Sequence, residues 1–267
     1  MMRKYSYYFF SIFKLLFGIR EWPLVMRIFL GLAPEGIYTI RLRKSGAKFQ
    51  VRKAMDVWSV KETFLDRFYE KYGTEIGEGW KIVDIGAGIG EFTLFALLGH
   101  PQNFVYAFEP YPRSFDLLSD NLAANQIANA QIFPEAIGAE TGTLALDLSS
   151  GEPLQIQSFS LDSASIQEEV LKVRSLSLED AFNRLGLEAC DLLKLDCEGA
   201  EYDILFHTTA SVLGRIDRIV MEYHDNVTAN THQDLVKFLV SKDFAVKTFP
   251  NPVHDYLGYL SACRLTC

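Results

Sequence analysis

Between residues 80 and 263 the chain alternates short, nearly unbroken apolar runs with stretches in which apolar positions recur every three to four residues. The runs fall at 80–85, 104–109, 131–136, 191–196 and 216–223, with helical spacing at 91–98, 113–124, 177–185, 200–206 and 231–241. Continuous apolar runs bounded by polar turns read as strands buried on both faces. Strands that alternate with helices read as a parallel sheet covered on each side. Two runs near 244–249 and 255–263 have no helix between them and should form an antiparallel pair at one edge. Two low-charge segments, 143–148 and 154–161, interrupt the rhythm and read as an inserted hairpin. Upstream, 37–43 and 48–52 flank Ser45 and Gly46 as a second hairpin, and 59–72 is helical. The expected fold class is α/β: a doubly wound, mostly parallel sheet with an antiparallel edge strand and an N-terminal helical and hairpin extension. The expected division is an extension over 1–72 and a main domain over 73–267.

Charge changes this picture at the N-terminus. The 267 residues carry a net charge of −8, but residues 1–53 hold eleven Lys and Arg against two acids, a balance of +9. The remainder holds fifteen against thirty-two, or −17. An acidic body argues against nucleic acid as the main partner, because phosphate binding needs a basic surface. In the aromatic stretch 5–32, Lys14, Gly18, Arg20, Glu21, Pro23 and Arg27 interrupt the apolar pattern. That leaves no run of about 18–20 apolar residues for a spanning helix, and no clear signal peptide. Two readings of residues 1–32 stay open: an amphipathic segment in peripheral contact with a membrane, or short helices packed on the domain or a partner subunit. Cys190, Cys197, Cys263 and Cys267 show no metal-like or paired spacing and read as reduced thiols of a cytoplasmic protein. Cys197 reads as strand-end packing, since no activating partner is evident.

The first chemical signal follows the run at 80–85. Gly86, Gly88 and Gly90 alternate with Ala87 and Ile89, and Glu91 stands where a helix should begin. Glycines there let the backbone turn sharply and approach a ligand. A dinucleotide fingerprint would put glycine or alanine at 91, where a helix N-terminus meets a pyrophosphate. Glu91 and Asp84 instead make the site acidic, which suits a cationic ligand without phosphate; S-adenosylmethionine fits. Glu109, 21 residues after Gly88, ends the next strand and is followed by Pro110. An acid at that distance accepts ribose hydroxyls in doubly wound folds. Ala136, after Glu135 at the third strand's end, is small enough for an adenine ring to lie flat against it.

The second signal is Lys194 in an apolar run that should be a central strand, followed by Asp196, Glu198 and Glu201. A buried lysine needs a partner. Asp196, on the same side of the strand, is a candidate, and a structural ion pair competes with a catalytic role for Lys194. Gly199 permits a tight turn aiming Glu198, and with it Glu201, at the cleft. Glu201 reads equally as a first-turn acid favoured by the helix dipole. Glu222 and His224 share one face at the end of the following strand. As general base the order of preference is His224, Asp196, Glu222. If a divalent metal is used, Asp196 and Glu222 are its candidate ligands.

Taken together, D-I-G-A-G-I-G-E-F-T (84–93), F-E-P-Y-P-R-S-F (108–115), N-L-x-x-N (121–125), L-L-K-L-D-C-E-G-A-E (192–201) and M-E-Y-H (221–224) resemble the FkbM-type S-adenosylmethionine-dependent methyltransferases. The hairpin at 41–52 is similar to that family's lead-in, and the resemblance covers about 37–262. It implies a class I methyltransferase (Rossmann-like) fold and O-methylation of a sugar, glycan or secondary-metabolite hydroxyl. One departure is Gly88, where the family often has asparagine. Two other classes compete: a nicotinamide-dependent oxidoreductase, which Glu91 opposes, and a non-catalytic scaffold docked on a membrane or glycan assembly through the basic head.

Overall fold

The computed structural model describes residues 2–148, 154–155, 170–251 and 253–265. The chain opens with α1 (Met2–Gly18) and α2 (Trp22–Phe29), whose first turn holds Pro23, a position where a missing N–H costs nothing. The hairpin β1 (Tyr38–Arg41) and β2 (Lys48–Val51) follows in the expected place, paired antiparallel from Tyr38 opposite Val51 to Arg41 opposite Lys48. The expected helix over 59–72 is instead three pieces: α3 (Ala54–Val60), a π-helical stretch (Lys61–Asp66) and α4 (Phe68–Tyr72). Arg67, with φ of 54°, breaks the last two. Inside the π stretch, Lys61 is fully buried, pairs with Asp66 at 2.6 Å and lies 4.2 Å from the ring centres of both Tyr7 and Trp58. Such stretches often accompany functional sites.

The main body runs β3 (Lys81–Ile85), α5 (Glu91–Leu98), β4 (Phe104–Phe108), α6 (Pro112–Ala124), β5 (Ala130–Phe133), β6 (Ala136–Gly138), β7 (Gly142–Asp147), β8 (Leu154–Gln155) and β9 (Val170–Ser177). It continues through α7 (Leu178–Leu185), β10 (Leu192–Leu195), α8 (Glu201–His207), α9 (Ala210–Leu213), β11 (Arg218–His224), α10 (His232–Val240), β12 (Phe244–Pro250) and β13 (Leu257–Arg264). Seven strands make the central sheet, in the order β12-β13-β11-β10-β3-β4-β5. The five strands from β11 to β5 are parallel, and β12 and β13 form the expected antiparallel pair at one edge. Within that pair β13 is the reversed strand, inset one place, so the outermost strand β12 runs with the parallel set.

Two expectations need correction. The single strand over 131–136 is two: β5 ends at Phe133, Pro134 supplies no N–H to continue the ladder, and β6 leaves for a second sheet of order β6-β9-β7-β8. The inserted hairpin survives only in part. β7 and β8 pair through Leu146 opposite Gln155, the rest of 154–161 lies outside the described residues, and β9 pairs along the other side of β7.

Side chains alternate across the central strands and feed two cores. Val83, Leu193 and Ile219 pack on one face with α7, α8 and α10; Ile82, Leu192 and Val220 pack on the other with α5 and α6. The second core also takes in Leu15, Ile19, Val25 and Phe49, so one continuous apolar layer crosses residue 72. Each such side chain stabilises by about 1.5–3 kcal/mol on burial, which holds α1 and α2 against the sheet. Among the described residues no helix is long and apolar enough to cross a membrane.

Candidate active site

The glycine loop is shaped by close backbone approach. Gly86, Gly88 and Gly90 all have positive φ, at 73°, 55° and 90°. The amides of Gly86 and Ala87 both donate to the Phe108 carbonyl at 3.0 Å, tying the loop to the end of β4. A Cβ on Gly86 would lie 1.9 Å from the Asp196 carbonyl oxygen, so the loop and the end of β10 touch backbone to backbone. Glu109 accepts from the Gly88 amide at 2.8 Å and the Tyr111 amide at 2.9 Å. Burial outweighs those two bonds and pushes its carboxyl up to about 7. Burial does the same to Glu91, also to about 7, against the opposing Lys194 charge and a hydrogen bond donated by the Ser59 hydroxyl.

These groups open on a cavity of about 250 Å³. Of the residues expected from sequence, Gly86, Gly88, Glu91, Glu109, Pro110 and Ala136 line it, with Asp196, Glu198 and Glu222 on the far wall. A second cavity of about 840 Å³ lies beyond, between α1, α2 and the β12–β13 connection. Met55, Trp58, Glu62, Glu198 and Glu222 line both, so the two form adjoining chambers.

Several expected residues lie elsewhere. Lys194 is buried, and its partner is Asp84, directly opposite on β3 at 3.0 Å, rather than Asp196 on its own strand. Asp84 also accepts from the Thr93 hydroxyl at 2.6 Å, and Lys194 donates to the Gly86 carbonyl at 2.7 Å. Burial disfavours the Lys194 charge, but Asp84, Asp196 and Glu91 outweigh it and hold the ammonium above its ordinary range. A fixed cation beneath the loop does not exchange protons, so Lys194 and Asp84 support the site without lining it. Glu135 points away as well, pairing with Arg184 at 2.7 Å and Arg174 at 3.5 Å beside the second sheet. Ala87 is buried under the loop, and Gly90 faces the Leu118 side chain where α5 begins.

His224, the first choice as base, lies in the larger chamber's wall between two carboxylates. Its Nδ1 is 3.4 Å from Glu201 and its Nε2 is 3.4 Å from Glu198. Burial works against its charge, yet Glu201, Glu198 and Glu222 together raise its pKa well above the ordinary histidine value. An imidazole already protonated cannot accept a proton from substrate, so the ligand-free arrangement does not suit His224 to that role. Glu201 does not reach the cleft; it accepts from the Cys197 and Gly199 amides at 2.7 and 2.9 Å and closes the turn into α8. Glu198, at φ of 53°, and Gly199, at 103°, make that turn. Burial pushes the Cys197 thiol well up, in keeping with packing rather than nucleophilic chemistry.

For a metal, Asp196, Glu201 and His224 each bring one ligand atom within 4.8 Å of the others. Glu222 is not in that group, which changes the pair expected from sequence. Two hard oxygens, and an imidazole whose buried Nδ1 becomes a donor once it gives up its proton, form a set that fits a divalent cation.

Sequence reasoning missed the N-terminal wall: Trp58, Ser59 and Glu62, together with Tyr69, whose hydroxyl donates to Asp196 at 2.8 Å. Glu62 accepts from the Tyr7 hydroxyl at 3.0 Å, and burial brings its carboxyl up to about 7. Its place in an ordinary helical pattern carries no signal, because the partner that defines it lies 55 residues away.

The "Methyltransferase FkbM domain" family model matches residues 84–246, well over half of the chain, from the buried Asp84 of β3 into β12. A similar protein is the 31-O-demethyl-FK506 methyltransferase FkbM of Streptomyces tacrolimicus, 27% identical over 214 residues, covering 71% of this chain and 82% of the relative. Another is the hexuronic acid methyltransferase AglP of Haloferax volcanii, 23% identical over 194 residues, covering 72% and 75%. Among solved structures, the methyltransferase FkbM from Methylobacillus flagellatus superposes with a TM-score of 0.51 at 14% identity, over 78% of this chain and 54% of that one. That likeness speaks to the fold alone, a class I methyltransferase sheet. With the family match running unbroken from the glycine loop through both acidic strand ends, the chain belongs to the FkbM methyltransferase domain family and is a methyltransferase.

Proposed function

We propose that the protein transfers the sulfonium methyl group of S-adenosylmethionine to a hydroxyl of a small-molecule or glycan acceptor. The observation that carries this reading is the acid lining of the smaller chamber. Glu91 and Glu109 stand at the glycine loop, with Asp196, Glu198 and Glu222 opposite. Among the described residues Arg52 is the one Lys or Arg on the smaller chamber, and Asp56 and Ser114 already hold it. Such a lining favours a ligand carrying sulfonium and ammonium charges and disfavours a pyrophosphate. Glu109, anchored by two amides, keeps acceptor capacity for ribose hydroxyls. The relatives' names, one a demethyl-FK506 and the other a hexuronic acid methyltransferase, support a small-molecule or sugar acceptor.

In the transfer, the acceptor oxygen forms a bond to the methyl carbon while the carbon–sulfur bond breaks. The bonding pair stays on sulfur, and the hydroxyl proton passes to a base. Alignment of oxygen, carbon and sulfur across the two chambers is worth up to about 7–11 kcal/mol. We assign the base to Glu62: it faces both chambers and, near 7, is ionised in part at neutral pH, where a positioned base adds about 10²–10⁴-fold. Glu222 shares that wall, but burial and the nearby Asp196 raise its carboxyl well above the ordinary value. Proton transfer to Glu62 needs no metal; a divalent cation, if bound, would be held by Asp196, Glu201 and His224 and would lower the acceptor hydroxyl's pKa.

The head extends the reading to a lipid surface. Phe9, Phe13 and Phe17 make an exposed strip along α1 within the segment of charge +9, as a helix lying on an anionic bilayer requires. Co-sedimentation with phosphatidylglycerol vesicles, lost in the Phe9→Glu/Phe13→Glu/Phe17→Glu protein, tests this contact. The transfer itself is tested by mass spectrometry of glycan and lipid extracts from cells with and without the protein, incubated with isotopically labelled donor. One labelled methyl on an oxygen, appearing only with the enzyme, is the expected result; none appearing refutes the reading.

A further inference from the structure

The larger chamber differs in kind from the smaller. Its outer part is walled by Ile12, Leu15, Met26, Phe29, Val227 and Leu257, and Trp58 packs edge-on to Phe29 at the junction, 6.2 Å between ring centres. At about 840 Å³ it is near the upper end of small-molecule sites. The carboxylates are confined to one end, while Ser11, Asn226, Asn251 and His254 add other polar groups to the lining. Glu62, Glu198 and Glu222 sit where the chambers join, and among the described residues no Lys or Arg lines this cavity. His224 on the same wall stands between Glu198 and Glu201, 3.4 Å from each.

We infer that the acceptor is an uncharged amphipathic alcohol. Its apolar body fills the space between α1, α2 and the β12–β13 connection, and its hydroxyl end is presented to Glu62. This rests on the methyl-transfer reading and narrows it. Apolar walls reward an extended hydrocarbon or macrocyclic body, since that area leaves water on binding. A hydroxyl at the acid end finds hydrogen-bond acceptors. A carboxylate or phosphate there would be desolvated beside Glu62, Glu198 and Glu222, with no Lys or Arg in the lining to pair with it. The enzyme should therefore reject anionic acceptors of the same shape. α1 and α2, which precede the family-matched region, set this preference.

The probes are 1-decanol and decanoate, which share a tail and differ in charge at mildly alkaline pH. Each is titrated calorimetrically into the full-length protein saturated with S-adenosylhomocysteine. Decanol should bind, and decanoate should bind at least about tenfold more weakly. Met26→Trp, which fills the chamber from α2, should weaken decanol about tenfold or more while leaving S-adenosylhomocysteine affinity within about twofold. Val227→Trp, from the opposite wall, should do the same and serves if the first variant fails to fold. Equal binding of the two probes, no decanol binding, or decanol affinity unchanged in the filled variants overturns the inference when S-adenosylhomocysteine still binds. Failure of S-adenosylhomocysteine to bind the wild-type protein overturns instead the reading beneath it.

Discussion

Gly86 and Asp196 meet backbone to backbone: a Cβ on the first would stand 1.9 Å from the carbonyl oxygen of the second. The contact joins the glycine loop to the acidic end of β10, so the shape of one fixes the position of the other. Gly86→Ala adds that clash to a φ of 73°, where a Cβ is already costly. It should lower stability by about 2–4 kcal/mol and weaken S-adenosylhomocysteine at least about tenfold, read by urea melts and calorimetry. Gly88→Asn is the contrasting case. Asparagine tolerates a φ of 55°, and the nearest atom to its Cβ is the movable Glu91 carboxylate at 3.1 Å, so the cost should stay within about 1 kcal/mol.

The buried pair of Lys194 and Asp84 makes a second prediction. Asp84→Asn leaves an ammonium in the sheet without its counter-charge and should cost about 3–5 kcal/mol. Adding Lys194→Met removes the stranded charge and should recover part of that loss. A double-mutant cycle in urea, with the double variant as unstable as the two losses summed, would refute the pairing.

Stability should depend on pH in a specific sense. Glu91 and Glu109 ordinarily ionise near 4.5 but hold their protons to about 7 in the fold. The folded protein binds more protons than the unfolded chain across that window, so stability falls as pH rises through it. His224 acts in the same direction, its contribution complete below the ordinary value of 6.5 and lost as pH climbs through its raised value. Glu201 is depressed, His224 and backbone amides outweighing its burial, and its contribution is lost only on the acid side. The melting temperature of the ligand-free protein should therefore peak near about pH 5 and decline toward pH 8. Saturating S-adenosylmethionine should flatten that decline, because a cation favours the ionised carboxylates. A melting temperature that rises from pH 5 to 8 without ligand contradicts the assigned burial.

Glu62→Gln should reduce turnover by about 10²–10⁴-fold while S-adenosylhomocysteine affinity stays within about twofold. Activity should persist in excess chelator, since the proton goes to a carboxylate. Loss of turnover in chelator, restored by Mg²⁺, would shift the weight to Asp196, Glu201 and His224.

What the sequence revealed followed the range of the interaction. The alternating glycines and Glu109 were legible because a strand end, a tight turn and a helix start are local events, and their spacing is dictated by the sheet. Lys194 was recognised as a buried charge, but its partner was misread. Asp196 is two residues away in sequence, whereas Asp84 becomes a neighbour only through the β10–β3 register. β9 escaped notice because it buries little of its length, chiefly at Val173, Ser175 and Leu176. The chamber walls from Tyr7 to Glu62 were invisible for the same physical reason as Asp84. They depend on contacts such as Tyr7 with Glu62 that no window of neighbouring residues contains.

The most direct measurement is calorimetric titration of folded, ligand-free protein with S-adenosylhomocysteine and, in parallel, with NAD and NADP, on wild type and Glu109→Ala. Saturable binding of S-adenosylhomocysteine, weakened at least about tenfold by the substitution, with no heat from either nicotinamide, is the expected result. Tight NAD or NADP binding with none of the thioether would contradict an acid-lined crevice built for a cationic methyl donor.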